Sequence, residues 1–474
     1  MSASFTLKEI AIATGARLVQ GEAEARAEGV FTDSRHPQKG ALFVALVGEQ
    51  FDGSLFAVAA AQAGAAAILL PERSVASVAS AIPRSTALLA AHDTGRALAL
   101  LGQAWRGQQR DLKLVAITGS TGKTSTKELV AAVLAHAGPT LRTDGNLNNE
   151  IGVPLTLLRL EPLHRYAVIE CGMNHLGEIA RLAGYSDPDV ALVTNVGPVH
   201  LEGTGSIDGV ACAKGELFHA LRPDGIAVAN ADDARVLAQA CLSRRRLFTF
   251  GSSANADARL LSAHHGGPGL LLDLQLLGKR YSTELHLIGM HNAHNACAAA
   301  AAGLALGLPV EAILLGLGDA RTTGRRMRPV SLASGSLLID DCYNANPTSM
   351  KAALLTLTHL VRGSGRAVAV LGDMLELGPT ELDLHRDVGR FAAGAGLSLL
   401  VCFGVRAHAI GEGAIESGVP AENVVYAEGP AEAVRLVNAN QQPGDVVLVK
   451  GSRGMKMERI SDALAGALPA EGAH

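Results

Sequence analysis

A chain of 474 residues is long enough for three domains of ~150 residues each, and with 48% hydrophobic and 18% charged residues it can bury large cores. A formal net charge of −4 without a long basic run excludes a general nucleic-acid surface, which needs clustered Lys and Arg. The six cysteines, at 171, 212, 241, 297, 342 and 402, form no CxxC pair; this argues against a disulfide framework or a thiolate zinc site and suits a reducing compartment.

Lys8 and Glu9 interrupt the first apolar stretch, so the N-terminus is not a signal peptide. Up to residue 110, apolar runs at 41–46, 65–70 and 87–90 alternate with Ala-rich helical stretches, the pattern of a small α/β domain. The run 112–117 then predicts a buried strand. It is followed by TGSTGKTSTKE at 118–128, and by Leu129, Val130, Val133 and Leu134 at helical spacing. Strand, glycine turn, Lys-Thr and helix is the layout of a nucleotide phosphate-binding loop. Gly119 and Gly122 let the backbone approach the phosphates, and free N–H groups at the helix start point at them. Lys123 would neutralise β/γ-phosphate charge and the Thr124 hydroxyl would ligate Mg²⁺. The usual spacing asks for glycine at 117, where this chain has Ile117; a glycine-rich turn with a capped helix is the alternative.

The runs 166–170, 190–195 and 226–230 each end in a polar residue, as buried parallel strands do when they deliver functional groups at their C-terminal edge. Glu170 closes the first of these runs. It is placed to hold Mg²⁺ directly or through water, or it is a surface glutamate ending a strand. His200, in GPVHLEGTGS, and Lys214, in ACAKGELF, read alone as packing or exposed residues. The basic triplet at 244–246 reads as a solvated helix end. The segment 260–288 alternates more and contains GGPG at 266–269, which predicts a hairpin appended to the sheet. HNAHN at 291–295 places Asn292 and Asn295 on one helix face, where an amide donor and acceptor suit a purine edge. His291 and His294 could instead ligate a metal, but no thiolate or acidic partner stands at ligand spacing. The apolar run 296–310 contains Pro309 and is too short to span a bilayer.

The basic segment 321–328 reads as a hinge, from which Arg325 and Arg326 could reach a γ-phosphate or stay exposed. Beyond it, strands are predicted at 337–340, 367–371, 399–403 and 446–450. DDCYNANP (340–347), LGDMLELG (371–378) and KGSRG (450–454) follow strands at the sheet edge where α/β ligands bind. The expected fold is therefore α/β in three domains. They are 1–110, a central P-loop ATPase-like parallel-sheet domain at 111–328, and a C-terminal Rossmann-like domain at 329–474.

Taken together these motifs resemble the Mur ligase family, ATP-dependent amide-forming enzymes of peptidoglycan synthesis, over nearly the whole chain. The family does not require the first glycine of the phosphate loop, which accounts for Ile117. TDSR (32–35) and ALFVALVGEQFDG (41–53) are similar to its uridine-nucleotide-binding N-terminal domain, although Ser54 stands where the family often has histidine. GNLNNEIGVPLTLL (145–158), GMNHLGEI (172–179), HLEGTGS (200–206), DDCYNANP and GDMLELG resemble members that join D-Ala-D-Ala to UDP-MurNAc-tripeptide through an acyl phosphate.

The resemblance implies ATP and Mg²⁺ as cofactors and Lys123, Glu170, His200 and Lys214 as catalytic residues. Gly119, Ser120, Thr121, Gly122, Lys123, Thr124 and Ser125 would cradle the triphosphate. Thr124, Glu170, His200 and a carbamylated Lys214 would serve the metal. Asn292 and Asn295 would contact adenine, Arg326 the phosphates and Asp341 the ribose. Ser34, Arg35, Asn146, Asn148 and Asn149 would face the UDP-linked substrate, and the dipeptide would lie against the third domain. A cytoplasmic monomer without nucleic-acid partner or membrane insertion is expected. Folylpolyglutamate synthase, a related ligase, shares the phosphate loop but lacks the TDSR…FVAL segment. A P-loop ATPase switch would instead hydrolyse ATP without any acceptor.

Overall fold

The structure is a computed structural model that describes residues 3–48, 51–266, 269–361 and 363–466. The N-terminal unit begins with helix Leu7–Thr14. There Thr6 and Glu9 form a capping box: the Thr6 hydroxyl accepts from the Glu9 N–H at 3.1 Å and the Glu9 carboxylate from the Thr6 N–H at 2.7 Å. Its five-stranded sheet runs, in spatial order, Arg17–Gln20, Ala87–Ala91, Ala67–Pro71, Leu42–Val44 and Val30–Phe31. Only the first pair is antiparallel. The polar strands Arg17–Gln20 and Arg26–Glu28 lack the apolar run that marks their neighbours, so the sequence does not announce them.

The central sheet has nine strands, in the order Lys279–Leu285, Gly269–Leu276, Ala258–Gly266, Arg246–Gly251, Ile226–Asn230, Val190–Val193, Lys113–Thr118, Tyr166–Glu170 and Thr140–Arg142. From Arg246–Gly251 to Thr140–Arg142 every pairing is parallel. The strands from Ala258 to Leu285 extend the sheet as an antiparallel meander, as the alternation at 260–288 predicts; the centre of the GGPG turn lies outside the described residues. In the parallel part Glu170 pairs with Ile117 and Val193 with Thr118. Three strands therefore end side by side, and the chain leaves all three at one edge.

Helices Lys123–Ala135 and His291–Ala305 pack on one face of this sheet within a shared apolar core. The run Ala298–Ala302 is fully buried, because small side chains let the two helices approach closely. That approach brings the first turn of one helix against that of the other, and so Asn295 against Gly122.

The C-terminal six-stranded sheet runs Arg328–Ser331, Leu337–Asp341, Val446–Lys450, Ala367–Gly372, Leu397–Phe403 and Val424–Ala427. The sequence predicts a hinge through residue 328 followed by strands from 337. The chain instead starts an antiparallel edge strand at Arg328, and Pro329 is tolerated there because an edge leaves N–H positions unused. The six cysteines are free, and among the described residues no helix is long and apolar enough to cross a membrane.

Candidate active site

The phosphate loop closes between strand Lys113–Thr118 and helix Lys123–Ala135. Gly119 adopts φ +153°, and a Cβ there would stand 1.8 Å from the Thr194 hydroxyl, so only glycine fits. Gly122, at φ +77°, faces Asn295 in the same way, with 2.6 Å between a built Cβ and the Asn295 amide oxygen. Asn195 clamps the turn. Its Oδ1 accepts from the Thr121 N–H at 2.9 Å and from the Thr121 hydroxyl at 3.0 Å, and its carbonyl accepts from the Ser120 N–H at 2.9 Å. Lys123 Nζ donates to the Gly119 carbonyl at 2.7 Å. Burial lowers the Lys123 pKa from its ordinary value; the Glu170 carboxylate opposes that shift and the Arg326 cation adds to it.

Around Thr124 the side chains form a continuous network. The Thr124 hydroxyl donates to Glu170 Oε2 at 2.8 Å and accepts from Arg326 Nη2 at 2.8 Å. Asn148 Nδ2 donates to Glu170 Oε1 at 2.8 Å, so both oxygens of a carboxylate that is 2% exposed are engaged. The two hinge arginines diverge. Arg326 reaches the phosphate loop and lies 3.9 Å over the Tyr343 ring, whereas Arg325 bonds Asp340 at 3.0 Å and both Asp462 oxygens at 2.9 Å. Of the two candidates for a phosphate contact, only Arg326 enters the cleft.

Lys214, on helix Ile207–His219, is 1% exposed and has no hydrogen-bond or ion-pair partner among the described residues. Burial, and secondarily the nearby Lys123 charge, push its pKa well below 10.5. Lys127 is a control for this reading: it is equally buried but donates to the Thr143 carbonyl at 2.6 Å and pairs with Glu128 at 2.7 Å. His200 sits at φ +52° and pairs through Nδ1 with Glu376, itself at φ +62°, at 3.1 Å. Two strained residues thus meet between the central and C-terminal sheet units. That pairing holds the Glu376 carboxyl below its usual range.

Asn292 donates to the Ile288 carbonyl at 2.8 Å and accepts from Asn295 at 3.0 Å. Asp341 accepts from Lys450 Nζ at 2.7 Å and from the Met327 N–H at 3.1 Å.

Residues 26–97, 117–303 and 325–453 match, in turn, the Mur ligase family catalytic domain, the Mur ligase middle domain and the Mur ligase glutamate ligase domain. The UDP-N-acetylmuramoyl-tripeptide–D-alanyl-D-alanine ligase of Escherichia coli (strain K12) is 42% identical over 92% of this chain and 93% of its own. The chain belongs to the Mur ligase family. The solved Mur ligase structure of MurF from Acinetobacter baumannii superposes with a TM-score of 0.87 at 34% identity, covering 98% of this chain and 99% of that one. MurF ligase from Thermotoga maritima in complex with ADP gives 0.81 at 26% identity, covering 94% and 98%. A folylpolyglutamate synthase of Mycobacterium tuberculosis shares only the fold, with a TM-score of 0.62 at 19% identity over 78% of this chain.

In this Mur ligase, residues 120–125, Asn146, Asn148, Asn149, Glu170, His200, Asn292, Asn295, Arg326 and Asp341 line one cleft of about 660 Å³. Gly119 and Lys214 are not part of its lining. Ser34 and Arg35 lie elsewhere, just after strand Val30–Phe31 at the C-terminal edge of the N-terminal sheet, where Arg35 forks onto Asp33 at 2.9 and 2.8 Å. Sequence reasoning missed the Asn195 clamp, the Tyr343 ring and the Glu376 contact. Asn195 carried a signal, a polar residue after a buried strand; the other two depend on how distant loops meet.

Proposed function

We propose that this Mur ligase joins D-Ala-D-Ala to UDP-MurNAc-tripeptide, converting ATP to ADP and phosphate, in peptidoglycan precursor synthesis. The observation that carries the reading is the Thr124–Glu170–Arg326 network beside Lys123 on a phosphate loop, in a cleft shared by the central and C-terminal sheets. The relatives' names supply the substrates and the ADP complex supplies the nucleotide.

A carboxylate is a poor electrophile, so the tripeptide's C-terminal carboxylate first attacks the γ-phosphorus of ATP. Lys123 and Arg326 hold the charge of the transferring phosphoryl group, where a fixed cation in a dry site has most effect. The acyl phosphate is then attacked by the free amine of D-Ala-D-Ala, and the tetrahedral intermediate collapses with release of phosphate.

The donor set fits Mg²⁺. A hydroxyl and a carboxylate, both hard oxygens, stand 2.8 Å apart at the loop, while no group of three His, Cys, Asp or Glu side chains is assembled among the described residues. Few protein ligands plus phosphate oxygens are what Mg²⁺ takes. Bound there it neutralises phosphate charge. Thr124, Glu170 and His200 would hold it, together with Lys214 as a carbamate. Asn292 and Asn295 read adenine, and Asp341 the ribose. Asn146, Asn148 and Asn149, with Ser34 and Arg35, face the UDP-linked substrate. The chain divides near residues 110 and 328 into three domains and works in the cytoplasm, as its six free cysteines favour.

Phosphate release with each substrate omitted in turn tests the reading. Release is expected only with ATP, UDP-MurNAc-tripeptide and D-Ala-D-Ala together. A preference for UDP-MurNAc-dipeptide and a single diamino acid would assign a different Mur ligase, and release without acceptor would assign a switch ATPase.

The acyl phosphate must be shielded from water, which gives the C-terminal domain a reason to close over the cleft. Small-angle scattering is expected to show compaction when a non-hydrolysable ATP analogue and the UDP-substrate are added together. Superimposable profiles would rule out a closing hinge.

A further inference from the structure

D-Ala-D-Ala offers a protein little to recognise: an amine that must react, two methyl groups, one peptide group and a carboxylate. The one charge it carries away from the amine is on the carboxylate. The charged groups that line the cleft from the C-terminal sheet unit are few, and most are already engaged. Lys450 is buried against Asp341 and the Asn344 carbonyl at 2.7 and 2.8 Å. Arg326, from the connecting segment, is committed to Thr124 and the Tyr343 ring, and Glu376 to His200.

Arg453 differs. Its side chain is 64% exposed and makes no side-chain hydrogen bond among the described residues; its ion-pair contact is Glu458 at 3.8 Å. Its backbone, by contrast, is pinned. The Arg453 N–H donates to Asn344 Oδ1 at 3.4 Å, the Ser452 N–H to the Asp373 carbonyl at 3.0 Å, and the Leu375 N–H to the Ser452 hydroxyl at 2.9 Å. A fixed base carrying a guanidinium whose N–H groups make no hydrogen bond is the arrangement that binds a carboxylate through two parallel hydrogen bonds.

Charge placement gives the direction. The Leu375–Ser452 bond holds the loop of Glu376 against the loop of Arg453. Glu376 touches His200 on the central side, so an anion and a cation follow one another along this wall. A zwitterion laid along it points its amine toward the phosphate loop and its carboxylate away. Among the described residues Arg453 has no hydrogen bond or ion pair with that loop. Its guanidinium lies 5.7 Å from the Tyr343 ring, whose 3.9 Å contact is with Arg326, the arginine that bonds Thr124.

We propose that Arg453 binds the free C-terminal carboxylate of the incoming dipeptide and makes the enzyme select acceptors that carry one. This rests on the D-Ala-D-Ala reading above. The test is steady-state kinetics of wild type, Arg453→Lys and Arg453→Ala with D-Ala-D-Ala and with its C-terminal amide.

Wild type is expected to prefer the acid by about 10- to 100-fold in kcat/KM, the size of a lost charge-assisted hydrogen-bond pair. Arg453→Ala should raise KM for D-Ala-D-Ala by a similar factor and erase the preference, with KM for ATP and the UDP-substrate moved by no more than about twofold. Arg453→Lys should fall between, since it keeps the charge and loses the fork. Because the side chain is exposed, circular dichroism and melting should be unchanged. An undiminished preference for the acid in Arg453→Ala, or a rise in KM for ATP in its place, would overturn the proposal. Absence of any wild-type turnover with D-Ala-D-Ala would overturn the acceptor reading and the proposal with it, an outcome separate from any behaviour of the variants.

Discussion

Lys123→Ala is expected to lower kcat by about 10²- to 10³-fold or more while the protein stays folded. The ammonium is buried, 2.7 Å from the Gly119 carbonyl, and with Arg326 it bears on the phosphate loop from the cleft side. A fixed cation matters most where charge is redistributed in the transition state, so the loss falls on turnover more than on nucleotide binding. Folding should tolerate the change, because burial already disfavours the charged form of this lysine. Phosphate release and far-UV circular dichroism on the same sample decide the matter. Near-normal turnover in a folded variant would mean that this loop is not where phosphoryl transfer occurs.

Lys214 gives the second large effect. A buried ammonium without a counter-ion is costly, and desolvation beside Lys123 favours the neutral amine. A neutral amine can add CO₂ with loss of one proton, and the resulting carbamate spreads a single negative charge over two oxygens, suitable for a hard cation. Lys214→Ala should therefore be nearly inactive, with turnover partly restored by short carboxylates that replace the missing oxygens. No rescue at any carboxylate, with the fold intact, would sink the carbamate.

The same residue makes a stability prediction in metal-free buffer depleted of CO₂. The folded pKa lies below the unfolded 10.5, so between the two values the unfolded chain binds more protons and stability falls as pH falls. Lys214→Met should then be inactive yet melt higher than wild type. Its advantage should be widest toward low pH and should vanish as pH rises toward 10.5. A lower melting temperature at every pH would contradict the unpaired buried amine.

What could be read from the sequence follows from what is local. Tyr166–Glu170, Ile226–Asn230 and Val446–Lys450 are apolar runs buried on both faces, and the structure places strands on those same residues. The phosphate loop is equally local, since strand, glycines and helix follow one another in eleven residues, 118–128.

Contacts made across the chain were not legible. Asn148 carries no sign that it donates to Glu170, nor Glu376 that it meets His200, because these pairs depend on how strands and domains are placed. Arg325 and Arg326 look alike as neighbours and are told apart only by the partners the fold provides. Arg328–Ser331 was hidden for a different reason. It is short, half-exposed and interrupted by proline, so it lacks the alternation that marks a strand.

Those adjacent arginines have a mechanical consequence. Arg325 is locked to Asp340 and Asp462 of the C-terminal unit, whereas Arg326 bonds the phosphate loop of the central one. One peptide bond joins them, and a peptide unit cannot stretch. If the C-terminal sheet swings away, as the proposed closure requires, Arg325 would move with it and draw the neighbouring guanidinium off the loop. Opening and loss of positive charge at the nucleotide would then be a single event.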